Sequence, residues 1–110
     1  MDCLFCKIIA GEIPGDKVYE DDRVYAFRDI NPQAPVHVLI VPKKHMANIL
    51  ECDAETAVAV TAAIREIAAQ EGIAESGFRV ISNCGSDGAQ SVNHLHFHLL
   101  GGKKLTERMA

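Results

Sequence analysis

Short apolar runs mark several stretches of this chain, polar and apolar positions alternate in one near its end, and apolar positions recur at helical spacing in another. The β-branched run at 36–41 reads as a central strand, ended by Pro42, which has no N–H for a ladder. His37 then falls on the face opposite Val36, Val38 and Ile40, because successive side chains point to opposite sides of a strand. Lys17–Glu20 and 23–28 read as two short strands with Asp21-Asp22 as their turn, and 78–83 and 94–100 as two more. Ala57, Val60, Ile64, Ile67 and Ala68 keep helical spacing, which predicts a helix over Ala54–Gln70 with Asp53 as N-cap and Gly72 at its exit. A shorter helix at 4–10 is stopped by Gly11 and Pro14. Helix, three strands, long helix, two strands, with short turns between neighbouring strands, favours an antiparallel α+β sheet over a doubly wound parallel one.

Length and charge narrow the classes. The chain has 110 residues, and at about 150 residues per domain that predicts one domain over 1–110. Its 11 Lys and Arg against 15 Asp and Glu give a net charge of −4. A broad basic face for nucleic acid is therefore not expected. No apolar run reaches the ~18 residues of a membrane span, and Met1-Asp2-Cys3 begins no basic-then-apolar leader. A cytoplasmic location is expected, where thiols stay reduced. Cys3, Cys6, Cys52 and Cys84 then read as thiols or metal ligands rather than disulfides.

The most informative segment is His94-Leu95-His96-Phe97-His98-Leu99-Leu100. As a strand it puts three of the chain's five histidines on one face and Leu95, Phe97 and Leu99 on the other. Two chemistries compete for such a face. Neutral imidazoles ligate metals. Alternatively, one imidazole is a nucleophile while its neighbours orient it and stabilise charge. A nucleophilic ring needs a lone pair on its attacking nitrogen and an acceptor for its other N–H. The preceding polar loop, Cys84-Gly85-Ser86-Asp87-Gly88-Ala89-Gln90-Ser91-Val92, brings backbone N–H groups and hydroxyls together as phosphate oxygens require. Next to three histidines it favours phosphate chemistry.

These residues carry a resemblance. The stretch Gln90-Ser91-Val92-Asn93-His94-Leu95-His96-Phe97-His98-Leu99-Leu100 resembles the His-x-His-x-His signature of the histidine triad superfamily. The lead-in Asn83-Cys84-Gly85-Ser86-Asp87-Gly88, the trailing Gly101-Gly102, and the upstream run from Phe27 to His45 resemble its Hint branch, the nucleoside phosphoramidate hydrolases. The transferase branch carries Gln at the third histidine, so His98 points to hydrolysis. The likeness extends from about Leu4 to Gly102.

The resemblance implies a five-stranded antiparallel sheet with two helices, paired into a ten-stranded sheet in a homodimer. It implies purine nucleoside 5′-phosphoramidates as substrates, cleaved at phosphorus–nitrogen through a nucleotidyl-histidine. His96 matches the nucleophile, His98 the donor to phosphate oxygen, and His37 the upstream histidine that supports the triad headed by His94. Ser91 and Asn83 match residues around the phosphate and leaving group. Ala89 and Gln90 would present backbone donors, although the family often has Gly where Ala89 stands. Asp29 matches the acid that takes the ribose hydroxyls. Phe5, Ile8, Phe27 and Ile30 match the apolar slot around the base. Bacterial-type members that begin with Cys-x-x-Cys resemble this chain, and the ligand set implied is Cys3, Cys6, His45 and His94 on a closed, structural zinc. No catalytic cofactor is implied. The tail after Gly102 lacks the aromatic residue that some relatives carry there. Other readings stay open: a dinucleoside polyphosphate hydrolase, a metallohydrolase with metal on His94, His96 and His98, and a nucleotide-binding regulatory module without turnover.

Overall fold

A computed structural model describes residues 3–110. Helix α1 (Leu4–Ile9) is followed by strands β1 (Lys17–Glu20), β2 (Val24–Arg28) and β3 (Val36–Pro42), then helix α2 (Ala54–Gln70), β4 (Phe78–Ile81) and β5 (Phe97–Gly101). A single turn of 3-10 helix at Ile49–Glu51 precedes α2. The five strands form one sheet in the order β1-β2-β3-β5-β4, and every neighbouring pair is antiparallel. This is the expected α+β sheet with two helices.

Each face of the sheet is buried under one helix, as alternation requires. Val24, Ala26, Val38, Ile40 and Leu99 pack against Val60, Ala63, Ile67 and Ala68 of α2. On the opposite face Tyr25, Phe27, Leu39 and Val41 pack against Cys3, Phe5 and Ile8 of the α1 segment. Each aliphatic side chain fully buried in such a layer contributes about 1.5–3 kcal/mol relative to exposure. The buried stripe of α2 is Thr56, Val60, Ala63, Ile67 and Ala68. Ala57, expected on that stripe, is exposed, because Thr56 holds the first inward position directly after the cap. Asp53 caps the helix as predicted, accepting the Thr56 N–H at 2.8 Å.

Two strands are shorter than expected. β4 ends at Ile81 rather than at 83, since Asn83 already closes the following loop through its Nδ2 to the Gly88 carbonyl, 2.7 Å. β5 starts at Phe97 rather than at 94. Ile40 opposite Phe97 is the first of its ladder pairs with β3, and before that point the Leu95 N–H donates instead to the Met46 carbonyl at 2.7 Å. His94 and His96 therefore lie on an extended lead-in to β5, and His98 alone of the three lies in the strand. Among the described residues no helix is long and apolar enough to cross a membrane.

Candidate functional site

β3 and β5 are adjacent, and Leu39 stands opposite His98 in their register. That places His37, Leu39 and His98 on the α1 face of the sheet. His37, His94 and His96 are buried, yet no buried side-chain nitrogen or oxygen among the described residues lacks a partner. Their partners fix the protons on the rings.

His96 Nδ1 lies 2.7 Å from the His94 carbonyl oxygen. A carbonyl only accepts, so Nδ1 carries the proton and Nε2 of a neutral ring keeps its lone pair. The Ser82 hydroxyl donates to the His96 carbonyl at 2.9 Å and holds that stretch of main chain to the end of β4. Phe5 packs edge-on against the His96 ring with centroids 5.0 Å apart.

A second chain of bonds sets His98. The Gln33 N–H donates to His37 Nδ1 at 3.0 Å, so the proton of a neutral His37 sits on Nε2. That nitrogen is 2.9 Å from His98 Nδ1, which leaves His98 its own proton on Nε2. The His96 and His98 rings lie 5.2 Å apart. Asp29 Oδ2 also approaches His37 Nε2, at 3.4 Å. Asp29, His37 and His98 are close enough to resemble a metal triad. The Gln33 donor argues against that use, because Nε2 cannot ligate while it holds the ring proton. Burial pushes the His37 pKa below 6.5 against the opposing pull of Asp29. Burial likewise lowers that of His98, helped by neighbouring His96 and His37. Burial thus favours the neutral form of both rings, in which each has one lone pair and one donor.

His94 turns its ring the other way. Its Nε2–H donates to the Pro42 carbonyl at 2.8 Å, so Nδ1 offers a lone pair to a cluster with Cys3, Cys6 and His45. Cys3 Sγ is 3.2 Å from it, Cys6 Sγ 3.5 Å and His45 Nδ1 3.2 Å. Cys6 Sγ is also 3.5 Å from His45 Nδ1. With zinc–nitrogen bonds near 2.0–2.1 Å and zinc–sulfur near 2.3 Å, the edges of a tetrahedral site run roughly 3.3–3.8 Å. The four donor atoms lie within 4.8 Å of one another, so donor chemistry and spacing both fit zinc. Burial and the adjacent Cys3 push the Cys6 thiol up to about 11, so binding as thiolate must release a proton. His94, His96 and His98 do not converge on one point, and a metal held by those three together is not supported.

The loop between β4 and β5 corrects one expectation. The Ala89 N–H donates to the Ser86 carbonyl and the Gln90 N–H to the Gly85 carbonyl, both at 3.0 Å. These two donors are spent inside the loop's own turn and are not presented to a phosphate. The Gln90 side chain instead latches the loop: Nε2 donates to the carbonyls of Ala47 at 2.6 Å and Val92 at 2.9 Å, and Oε1 accepts from the Gly85 N–H. A Cβ on Gly88 would overlap the Cys84 main chain, so glycine is required there. Ala89 has φ +58°, in the left-handed region, where the resemblance places Gly. Ser91 is exposed where the loop leaves toward His94, and Asn83 is half-buried at its entrance.

Phe5, Ile8 and Phe27 belong to the buried cluster between α1 and the sheet, whereas Ile30 is fully exposed beyond β2. The roles of Gln33, Ser82 and Pro42 were not foreseen. Gln33 and Pro42 act through main-chain atoms, which leave no mark on residue type.

The HIT domain family model matches residues 10–105. The chain belongs to the HIT domain family. It is 49% identical over 110 residues to the purine nucleoside phosphoramidase of Escherichia coli K12, covering 97% of this chain and 92% of that protein. It is 48% identical over 107 residues to a 14 kDa zinc-binding protein of Zea mays, covering 93% and 83%. A solved HIT family hydrolase from Clostridium thermocellum superposes with a TM-score of 0.93 at 48% identity, over 99% of this chain and 97% of that one. This HIT protein is thus a hydrolase of the histidine triad type.

Proposed function

We propose that this HIT hydrolase cleaves the phosphorus–nitrogen bond of purine nucleoside 5′-phosphoramidates through a nucleotidyl-His96 intermediate, as one domain. The observation that carries the reading is the His96 Nδ1–H held by the His94 carbonyl at 2.7 Å. A neutral imidazole so held has its lone pair on Nε2, the state a nucleophile needs before it attacks.

His96 Nε2 attacks the α-phosphorus, the P–N bond breaks, and the amine leaves with a proton supplied through His98 and Ser91. His98 Nε2–H donates to a phosphate oxygen as charge develops, an arrangement typically worth about 2.7–4 kcal/mol in the transition state. His37 holds His98 in the donor tautomer. Water then attacks the phosphorus, giving one proton back to the Ser91–His98 relay, releasing nucleoside monophosphate and restoring neutral His96. Asn83 and Ser91 flank the phosphate, and Asp29 accepts the ribose hydroxyls. Phe5, Ile8 and Phe27 form the floor of the base slot and Ile30 its exposed rim. Support for the substrate class comes from the purine nucleoside phosphoramidase of Escherichia coli.

Zinc on Cys3, Cys6, His45 and His94 would be structural, fastening α1 and the segment after β3 to the lead-in of β5. The zinc-binding protein of Zea mays supports that metal. Two chains pair through β4, an edge strand that carries exposed Phe78 and Val80. Exposed apolar edges of this kind are normally covered.

Adenosine and guanosine 5′-phosphoramidates, assayed beside dinucleoside polyphosphates with wild type and His96→Ala, test the reading. Turnover of the phosphoramidates by wild type alone is expected, with chelator present or absent. Equal activity in both proteins would remove the nucleophile.

A further inference from the structure

His37 has one proton and two acceptors for it. With Nδ1 occupied by the Gln33 N–H, the ring proton on Nε2 faces His98 Nδ1 at 2.9 Å and Asp29 Oδ2 at 3.4 Å. The carboxylate is fixed in place: Oδ1 accepts the Asn31 N–H at 2.8 Å, and the Asp29 N–H donates to the His37 carbonyl at 3.0 Å. A charged acceptor competes strongly for a proton within reach. Whichever acceptor receives it decides the state of His98. If it goes to His98 Nδ1, the His98 proton is committed to Nε2 as a donor. If it goes to Asp29, His98 Nδ1 loses its partner and the ring is free to take the other tautomer. Of the two side chains, Asp29 reaches solvent, at 19% exposure against 4% for His37.

We infer that Asp29 is a positioning residue that couples sugar recognition to proton donation: hydroxyl groups donating to its carboxylate remove the competing acceptor and commit the His37 proton to His98. The inference rests on the proposed placement of ribose at Asp29 and adds a consequence to it. The sugar hydroxyls are read in kcat as well as in affinity, although they are not the reacting groups. A bound nucleotide without them leaves Asp29 competing for the proton, and His98 is then a donor for only part of the time.

The test compares adenosine and 2′,3′-dideoxyadenosine 5′-phosphoramidates with the same amine, in wild type and Asp29→Asn. In wild type, kcat for the dideoxy substrate is expected to fall about 10-fold, a partial loss of the 10²–10⁴ that a positioned acid supplies. In Asp29→Asn the amide no longer competes as an anion, and the two kcat values should agree within about twofold. A penalty confined to KM in wild type, or an equal kcat penalty in both proteins, overturns the coupling. A second readout needs no turnover and no variant. In ¹⁵N-histidine-labelled wild type, both adenosine 5′-monophosphate and its dideoxy analogue should move the His98 ring signals through the phosphate, but only the nucleotide with its sugar hydroxyls should move those of His37, which lies between Asp29 and His98. Equal His37 shifts from the two nucleotides, or none from either, overturn the inference. If neither phosphoramidate is turned over above a His96→Ala control, the hydrolase reading fails separately, and the ring signals still decide the coupling.

Discussion

His96 is tied to His94 through the main chain: its ring Nδ1–H donates to the His94 carbonyl oxygen at 2.7 Å. The His94 ring meanwhile faces Cys3, Cys6 and His45. One residue thus serves the cysteine cluster with its side chain and the proposed nucleophile with its backbone. Phe5 lies between the two cysteines in sequence and rests its ring on both His94 and His96. Placement of α1 therefore reaches the His96 imidazole by two contacts.

Metal removal should be felt as lost stability. Ligand present at about a hundredfold above its dissociation constant stabilises a fold by about 2.7 kcal/mol, and in a chain of this size each kcal/mol moves Tm by roughly 4–8 °C. Dialysis against chelator is expected to lower Tm by about 10 °C or more. Cys3→Ser should reproduce that loss and be insensitive to chelator. Metal analysis of carefully purified protein should find close to one equivalent of zinc; a content below about half an equivalent would count against the site.

Removal of His37 should act on rate. Without its Nε2–H, His98 has no partner to fix its tautomer. His37→Ala is expected to lower kcat by about 10- to 100-fold while KM changes by less than about threefold. Steady-state kinetics at pH 7.5 checks this, and an unchanged kcat would contradict the role.

Acid should destabilise the fold over a defined window. Burial holds His37 and His98 below the ordinary 6.5, the first facing Asp29 and His98, the second facing His96 and His37. In the unfolded chain both rings take up protons near pH 6.5, whereas the folded chain resists. Stability tied to these rings is therefore complete above that pH and declines as pH falls from it toward the folded values, at up to about 1.4 kcal/mol per pH unit for each ring. Urea midpoints should be level above pH 7.5 and fall below 6.5. His37→Ala should flatten part of that decline.

The left-handed backbone at Ala89 leaves a simple stabilising change. A Cβ at φ +58° is disfavoured by roughly 1–2 kcal/mol, part of which the greater freedom of unfolded glycine offsets. Ala89→Gly is expected to raise Tm by about 2–6 °C. A lowered Tm would contradict the strain.

What the sequence made legible was whatever follows from local periodicity. Val36 through Val41 form a β-branched apolar run that reads as a strand, and strand geometry alone sets His37 opposite Val38 and Ile40. Asp53 sits where an N-cap belongs and binds Thr56. The start of β5 was not legible, because it depends on the Leu95 N–H leaving the ladder for Met46, 49 positions away in the chain. The spent donors of Ala89 and Gln90 were hidden for a related reason. The same Gly-Ser-Asp-Gly composition serves a loop that opens its N–H groups to an anion and one that turns them onto its own carbonyls. The apolar slot shows the same limit: Phe5, Ile8 and Phe27 are apolar because they are core, and residue type alone does not separate a floor from a wall.

The covalent step is tested most directly by rapid quenching of wild-type protein with adenosine 5′-phosphoramidate, followed by intact mass and peptide mapping. The account predicts a nucleotidyl adduct on His96 that forms and decays at rates compatible with turnover, absent in His96→Ala, and overall retention of configuration at a chiral phosphorus. Turnover with inversion and no adduct on His96 would contradict it.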